Sequence, residues 1–255
     1  MVEVEWDERL FEASCAWIAR ECTAEETLAE AAGISDDEML LLTSLDLVPA
    51  ATYEIYPRSV ASPVAFMGRA SGSISLYYGP AVLTWLRRCA AQTLATSLEN
   101  IVPAMRGWLR KDLASALSAE ASLARRFGWA ALYDAQGQLK SRELDDAVGM
   151  LWAEWLGGGW AVCLNRFDGH HVVVKDLELE RIPALAEMAE SDPSYVPDLI
   201  DAMSRFDAAT RAFAPFERRM SSRSRVIDAT AARSNVPWPR SSADGEDRRI
   251  APTTR

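Results

Sequence analysis

Histidine, lysine and cysteine are all scarce in this 255-residue chain, and each shortage closes off a chemistry. The only histidines, His170 and His171, are neighbours. On an extended strand neighbours face opposite ways, so they cannot chelate one ion together. HExxH sites, the ExxH pairs of di-iron bundles and multi-histidine iron centres are thereby excluded. None of the three lysines, Lys111, Lys140 and Lys175, follows a glycine, which removes a Walker A loop. GxGxxG and GxSxG are missing too, and Gly157-Gly-Gly159 reads as a helix stop before an apolar run. Cys15, Cys22, Cys89 and Cys163 fit neither a zinc ribbon nor a CxxC redox pair, so they read as small buried hydrophobes. No metal and no cofactor are expected. No charge-free apolar run approaches the ~20 residues of a membrane span. The start, Met1-Val-Glu-Val-Glu-Trp6, lacks the basic opening of a secretory signal. A cytoplasmic globular protein is expected.

Charge is plentiful but unevenly placed. The 37 acidic and 27 basic side chains leave a net −10, which argues against a nucleic-acid or anionic-membrane binder. From Glu21 to Pro57 there are nine acidic residues and no Lys or Arg. From Arg218 to Arg255 there are nine arginines against four acids. An acidic head and a basic tail suit each other, and packing of one on the other is expected. Arginine outnumbers lysine 24 to 3 alongside abundant alanine, which reflects base composition more simply than guanidinium chemistry.

Periodicity predicts a mainly α, bundle-like fold with a helix-turn-helix-like N-terminal unit and one small antiparallel β-hairpin at about 160–175. Trp6, Leu10, Phe11, Ala13, Trp17 and Ile18 recur at helical spacing up to about Arg20. Thr23 and Glu26 have the spacing of a capping box, Gly33 ends the short helix that follows, and Ser35 caps the next. Residues 1–57 form this unit, and the Pro-, Ser- and Gly-rich stretch 58–79 reads as a connector, with a short strand near Ile74–Tyr78. A helical domain over 80–236 opens with Pro80 in a first turn. It continues through about 103–117 and 119–132, a helix capped by Ser141, and helices over 177–188, 196–213 and 223–232. The hairpin joins 160–166 to 170–175 through Asp168-Gly169, a dipeptide suited to a type I′ turn. Residues 237–255 read as a disordered tail.

In that register Val162 opposes Lys175 and Arg166 opposes His171. Lys175 ends a run of three valines, so its stem lies along the core. A partly buried lysine can act as a base or amine nucleophile. The structural alternative is a snorkelling lysine paired with Asp176 or Glu178. His171 is a candidate acid–base group or substrate contact, or one member of a surface cross-strand pair beside Arg166. Arg218, Arg219, Arg223 and Arg225 can grip a carboxylate or phosphate, or neutralise the acidic head. The second head helix begins Asp36-Asp-Glu38 with no basic residue nearby, which disqualifies it as a recognition helix against phosphates.

The half from about Trp152 to Val236 resembles a bacterial family of natural product biosynthesis proteins of undefined activity. The likeness rests on Trp155-Leu-Gly-Gly-Gly-Trp-Ala-Val-Cys-Leu164, Val174-Lys175, Arg181-Ile182, Phe206-Asp207, Phe213-Ala-Pro-Phe-Glu-Arg218 and Ser222-Arg-Ser-Arg225. The head, through Leu28-Ala-Glu-Ala-Ala-Gly33 and Pro49-Ala-Ala-Thr-Tyr53, resembles that family's N-terminal region. Phe167-Asp-Gly-His-His171 departs from it, in place of a proline-bearing turn. The resemblance implies a biosynthetic context and supplies no catalytic residues. The expectation is a metal-free protein acting on or holding a small metabolite or carrier-bound intermediate. Its candidate catalytic groups are Lys175 and His171, and its candidate ligand contacts are Arg166, Arg218, Arg219, Arg223 and Arg225. The alternatives are an interaction or adaptor module using the acidic head and, further off, a transcriptional regulator. If these residues share one pocket, the ligand reading gains; if they scatter, the adaptor reading does.

Overall fold

A computed structural model describes residues 1–234. The tail expected over 237–255 lies outside the described residues. The N-terminal strand β1 (Val2–Val4) leads into helix α1 (Glu8–Glu21), whose N-cap Asp7 accepts the Leu10 backbone N–H. Thr23 does not cap a helix; Thr23–Ala24 form β2, and a 3₁₀ turn precedes α2 (Leu28–Ala32). Gly33 closes α2 at φ +68°, where a side chain would be strained. Ser35 then caps α3 (Asp36–Ser44) in a full capping box with Glu38. Both short helices pack on α4 (Pro80–Thr93).

The main correction concerns β structure. Residues 53–78 hold four strands: β3 (Tyr53–Tyr56), β4 (Ser59–Ala61), β5 (Ala65–Gly68) and β6 (Ser75–Tyr78). With β1 and β2 they make a six-stranded mixed sheet in the order β1-β5-β4-β3-β6-β2, parallel only between β1 and β5. The Pro, Ser and Gly residues read as a connector punctuate strands too short to show alternation. Pro57-Arg58, for example, is the two-residue loop between the paired residues Tyr56 and Ser59.

The expected hairpin is absent, and its second arm is helix. After α5 (Ile101–Ala119), α6 (Ala121–Ala124) and α7 (Ser141–Leu156), residues 157–164 run through consecutive turns. Gly169–Ser191 then forms α8, 23 residues long, followed by α9 (Val196–Ala209) and, after a π-helical turn at Ser224–Asp228, α10 (Ala229–Ser234). Asp168 is the N-cap of α8 and accepts the His171 backbone N–H at 2.9 Å. Asp-Gly therefore served as cap and first helical residue, not as a turn. Val172, Val173 and Val174 are all buried because α8 is covered on every side here. An apolar run of that length does not separate a buried helix from a strand.

One continuous core joins α1, the sheet, α4, α5, α7, the 160–167 segment and the first half of α8. Trp85 sits at its centre, against Trp108, Trp152, Trp155 and Phe167, and donates its indole N–H to the Leu47 carbonyl at 2.7 Å. A second cluster holds the far half of α8 to α9 and to Val226 and Ile227. Among the described residues no helix is long and apolar enough to cross a membrane.

The start of α8 is set by contact with α5. Asp112 Oδ2 accepts the Gly169 backbone N–H at 2.6 Å. A Cβ on Gly169 would lie 2.6 Å from the Asp112 carbonyl and from the Leu113 nitrogen. Gly169→Ala should therefore destabilise the fold by about 1–3 kcal/mol, the range for an overpacked contact. Asp168→Ala should cost about 1 kcal/mol through loss of the cap. Thermal melts read both, and an unchanged midpoint for Gly169→Ala would show that α8 does not approach α5 this closely.

Candidate functional site

The last turn of α7, the glycines after it and the turn that follows bring Glu154, Trp160 and Cys163 beside Lys175 in the second turn of α8. Glu154, Gly157, Gly159, Trp160, Cys163 and Lys175 line an open cleft of about 340 Å³. Lys175 is 8% exposed, and its Nζ stands 4.3 Å from the centroid of the Trp160 ring. Its acidic neighbour is Asp176, with Oδ1 at 3.7 Å, beyond hydrogen-bond reach. A desolvated cation–π contact supplies about 2 kcal/mol, while burying an ion costs several. Lys175 is thus held between the Trp160 face and the Asp176 carboxylate at the wall of the cleft, the pairing with Asp176 that the structural alternative anticipated.

The neighbours divide by ionisation. Burial pushes the Asp176 carboxyl up against the pull of Lys175, and Glu154 and Glu180 push it the same way. Asp176 also lines an adjoining cavity of about 260 Å³ with Gly128, Trp129, Leu179 and Glu180, so the Lys175–Asp176 pair stands between two hollows. Burial lifts the Cys163 thiol to about 11 despite Lys175, and its Sγ lies 3.5 Å from the Trp160 carbonyl. Cys163 is therefore a thiol at neutral pH, which leaves Lys175 as the cleft's nucleophile, with the Glu154 carboxyl group in the same lining.

The other sequence candidates fall in different places. His171 lies one turn before Lys175 on the same helical face, ~6 Å along the axis. Its Nδ1 is 2.7 Å from Asp168 Oδ1, and Arg166 Nε is 3.9 Å from Asp168 Oδ2. Burial works against the Asp168 carboxylate, but hydrogen bonds from His171 and the charge of Arg166 hold it below the usual range. Arg166 and His171 thus meet at the α8 cap, and neither lines the cleft. Arg218, Arg219, Arg223 and Arg225 do not line it either. Arg223 is buried and paired through Nη1 with Asp207, while Arg219 and Arg225 are exposed. Glu178, considered as a partner for Lys175, is fully buried and pairs instead with Arg181 and Arg205. Among the described residues no three His, Cys, Asp or Glu side chains converge as a metal site.

Behind the 160–164 turn lies a polar cluster that the sequence did not signal. Glu217, fully buried, accepts hydrogen bonds from the Tyr53 hydroxyl at 2.6 Å and from Ser62 Oγ. Arg211 is buried beside it, 5.3 Å from the Trp17 ring centroid, with Nη2 reaching Cys22 Sγ at 3.3 Å. Its backbone N–H donates to the Cys163 carbonyl at 3.0 Å, so Cys163 borders both the cleft and this cluster. The 211–217 segment packs here on Trp17, Tyr53 and Ser62, and the Phe216 N–H donates to Ser14 Oγ. These contacts lie outside the acidic stretch 21–57 and the basic stretch 218–255 apart from Tyr53, so they do not test the expected pairing of the two.

Residues 112–235 match the family model described as "Family of unknown function (DUF6058)". The matched stretch contains every residue lining the Lys175 cleft, together with Arg211 and Glu217, and leaves α1–α4 and the sheet outside it. No curated protein and no solved structure matches the chain.

Burial raises the Glu217 carboxyl to about 7, against the hydrogen bonds from Ser62 and Tyr53 and the charge of Arg211. Below the ordinary 4.5 of an unfolded glutamate, both states hold the proton and this contribution to stability is complete. Between 4.5 and about 7 the unfolded chain ionises while the native protein keeps its proton, so stability falls as pH rises and then levels off. The loss should be on the order of 3 kcal/mol. Denaturant titrations across this window should show the fall in the wild type and its removal in Glu217→Gln. Equal pH dependence in the two proteins would contradict the burial of a protonated Glu217.

Proposed function

We propose that the chain is a cytoplasmic natural product biosynthesis protein that acts on or holds a small metabolite or carrier-bound intermediate at the Lys175 cleft, without a metal. The observation that supports this reading is a hollow within the usual size range of ligand sites with a buried lysine, 8% exposed, at its wall. The cleft opens to solvent beside the glycines at 157–159, which also suits the arm of a carrier-bound intermediate. His171, fixed by Asp168 one turn away, is in a position to contact the outer part of a ligand that extends from the cleft along α8. The resemblance to natural product biosynthesis proteins points the same way.

An interaction module is the second reading, and the scatter of the candidate residues favours it. The four tail arginines do not join Lys175, while α3 presents exposed Asp36 and Asp37 beside Leu40, which is 68% exposed.

Nuclear magnetic resonance screening of small organic acids, carbonyl compounds and pantetheine thioesters separates the two. Under the leading reading, binders shift the Trp160 indole and lose at least about tenfold in affinity with Lys175→Met, or ~1.4 kcal/mol. Binding that is absent, or that maps to α3 and survives Lys175→Met, would transfer the weight to the interaction reading.

A further inference from the structure

We propose that Lys175 forms a protonated imine with an aldehyde or ketone substrate, with the neighbouring Asp176 carrying the protons. The proposal rests on the reading of the cleft as a small-molecule site and specifies the substrate class. Three features of the geometry lead to it.

The first is the choice of nucleophile. The cleft offers one thiol and one amine, and Cys163 is a thiol held against the Trp160 carbonyl. An amine nine-tenths buried at the wall of an open hollow is placed to meet a carbonyl carbon rather than bulk water.

The second is charge. Lys175 as ammonium and Lys175 as protonated imine each carry a single positive charge. The Trp160 face that holds the first at 4.3 Å can hold the second without further reorganisation.

The third is the proton carrier. Asp176 Oδ1, at 3.7 Å, is too far to lock the ammonium and near enough to exchange a proton after a small side-chain shift or through one water. Asp176 lines the adjoining hollow rather than the cleft, and burial there raises its carboxyl, which eases its uptake of the proton from Lys175.

The step balances. The ammonium passes a proton to the Asp176 carboxylate, and the freed amine attacks the carbonyl carbon. Nitrogen bonds to carbon, and the carbonyl oxygen becomes the hydroxyl of a carbinolamine as the amine's second proton moves to it. Asp176 then returns its proton to that hydroxyl, the C–O bond breaks, and water leaves. The protonated C=N remains, and Asp176 is again a carboxylate. No oxidant, reductant or metal takes part.

Only three lysines make the test clean. The folded full-length protein is treated with propanal and cyanoborohydride at neutral pH, and alkylation of Lys111, Lys140, Lys175 and the N-terminus is followed by peptide mass spectrometry. Lys175 should be labelled at least about tenfold faster than exposed Lys111, by virtue of its positioned neighbours. Asp176→Asn should bring it down to the Lys111 rate with little change in melting temperature. Labelling of wild-type Lys175 at or below the Lys111 rate overturns the proposal whatever the variants do. An unchanged Lys175 rate in Asp176→Asn overturns the role of Asp176. If Lys175 goes unlabelled while non-carbonyl ligands still shift the Trp160 indole, the imine is wrong and the cleft reading survives. If neither occurs, both fall.

Discussion

The contact between Gly169 and the backbone of α5 is the constraint on which the rest of the functional half depends. The missing Cβ at that point lets α8 begin against Asp112, whose carboxylate takes the Gly169 N–H, while Asp168 takes that of His171. Where α8 begins fixes its phase. That phase buries Val172, Val173 and Val174 and turns Lys175, within the second turn, toward the 157–163 segment. A start shifted by one residue would rotate Lys175 by ~100° about the helix axis and take it off the Trp160 face.

The 160–164 turn then separates two buried polar centres of opposite character. On the inner side Glu217 is closed in: both oxygens are hydrogen-bonded and Arg211 is near. On the outer side Lys175 lies over the Trp160 ring, paired with Asp176 and beside a hollow. The inner centre ties β3 and the β4–β5 turn to the 211–217 segment, and the outer one borders the cleft.

Much of the helical framework was legible in the sequence because its signals are local. Ser35 and Gly33 are caps whose meaning depends on three or four neighbours, and the structure uses both as expected. Pro80 opens α4 for the same reason. Of the sheet only β6 was legible, as the short strand near Ile74–Tyr78; the other strands are two to four residues long, shorter than the window over which alternation becomes visible. Asp168-Gly169 misled because the same dipeptide serves a type I′ turn and a helix N-cap. The choice is made by Asp112, 56 residues earlier. Lys175 was singled out for its burial beside a valine run, and burial is what the structure shows, though from a helix. Its environment was hidden: Trp160 and Cys163 reach it through the turns after α7, and Glu217 and Arg211 acquire meaning only through contacts with the head.

The central claim is that Lys175 is a buried ammonium held over the Trp160 ring at the mouth of an open cleft. Nitrogen-15 spectroscopy of the lysine side chains tests it most directly, since three signals are readily assigned. The account predicts a Lys175 ammonium resonance shifted upfield by the indole ring current, slower to exchange with water than Lys111, and returned toward the Lys111 position in Trp160→Leu. A Lys175 signal that coincides with Lys111 in shift and exchange rate would place the charge in solvent and contradict the account.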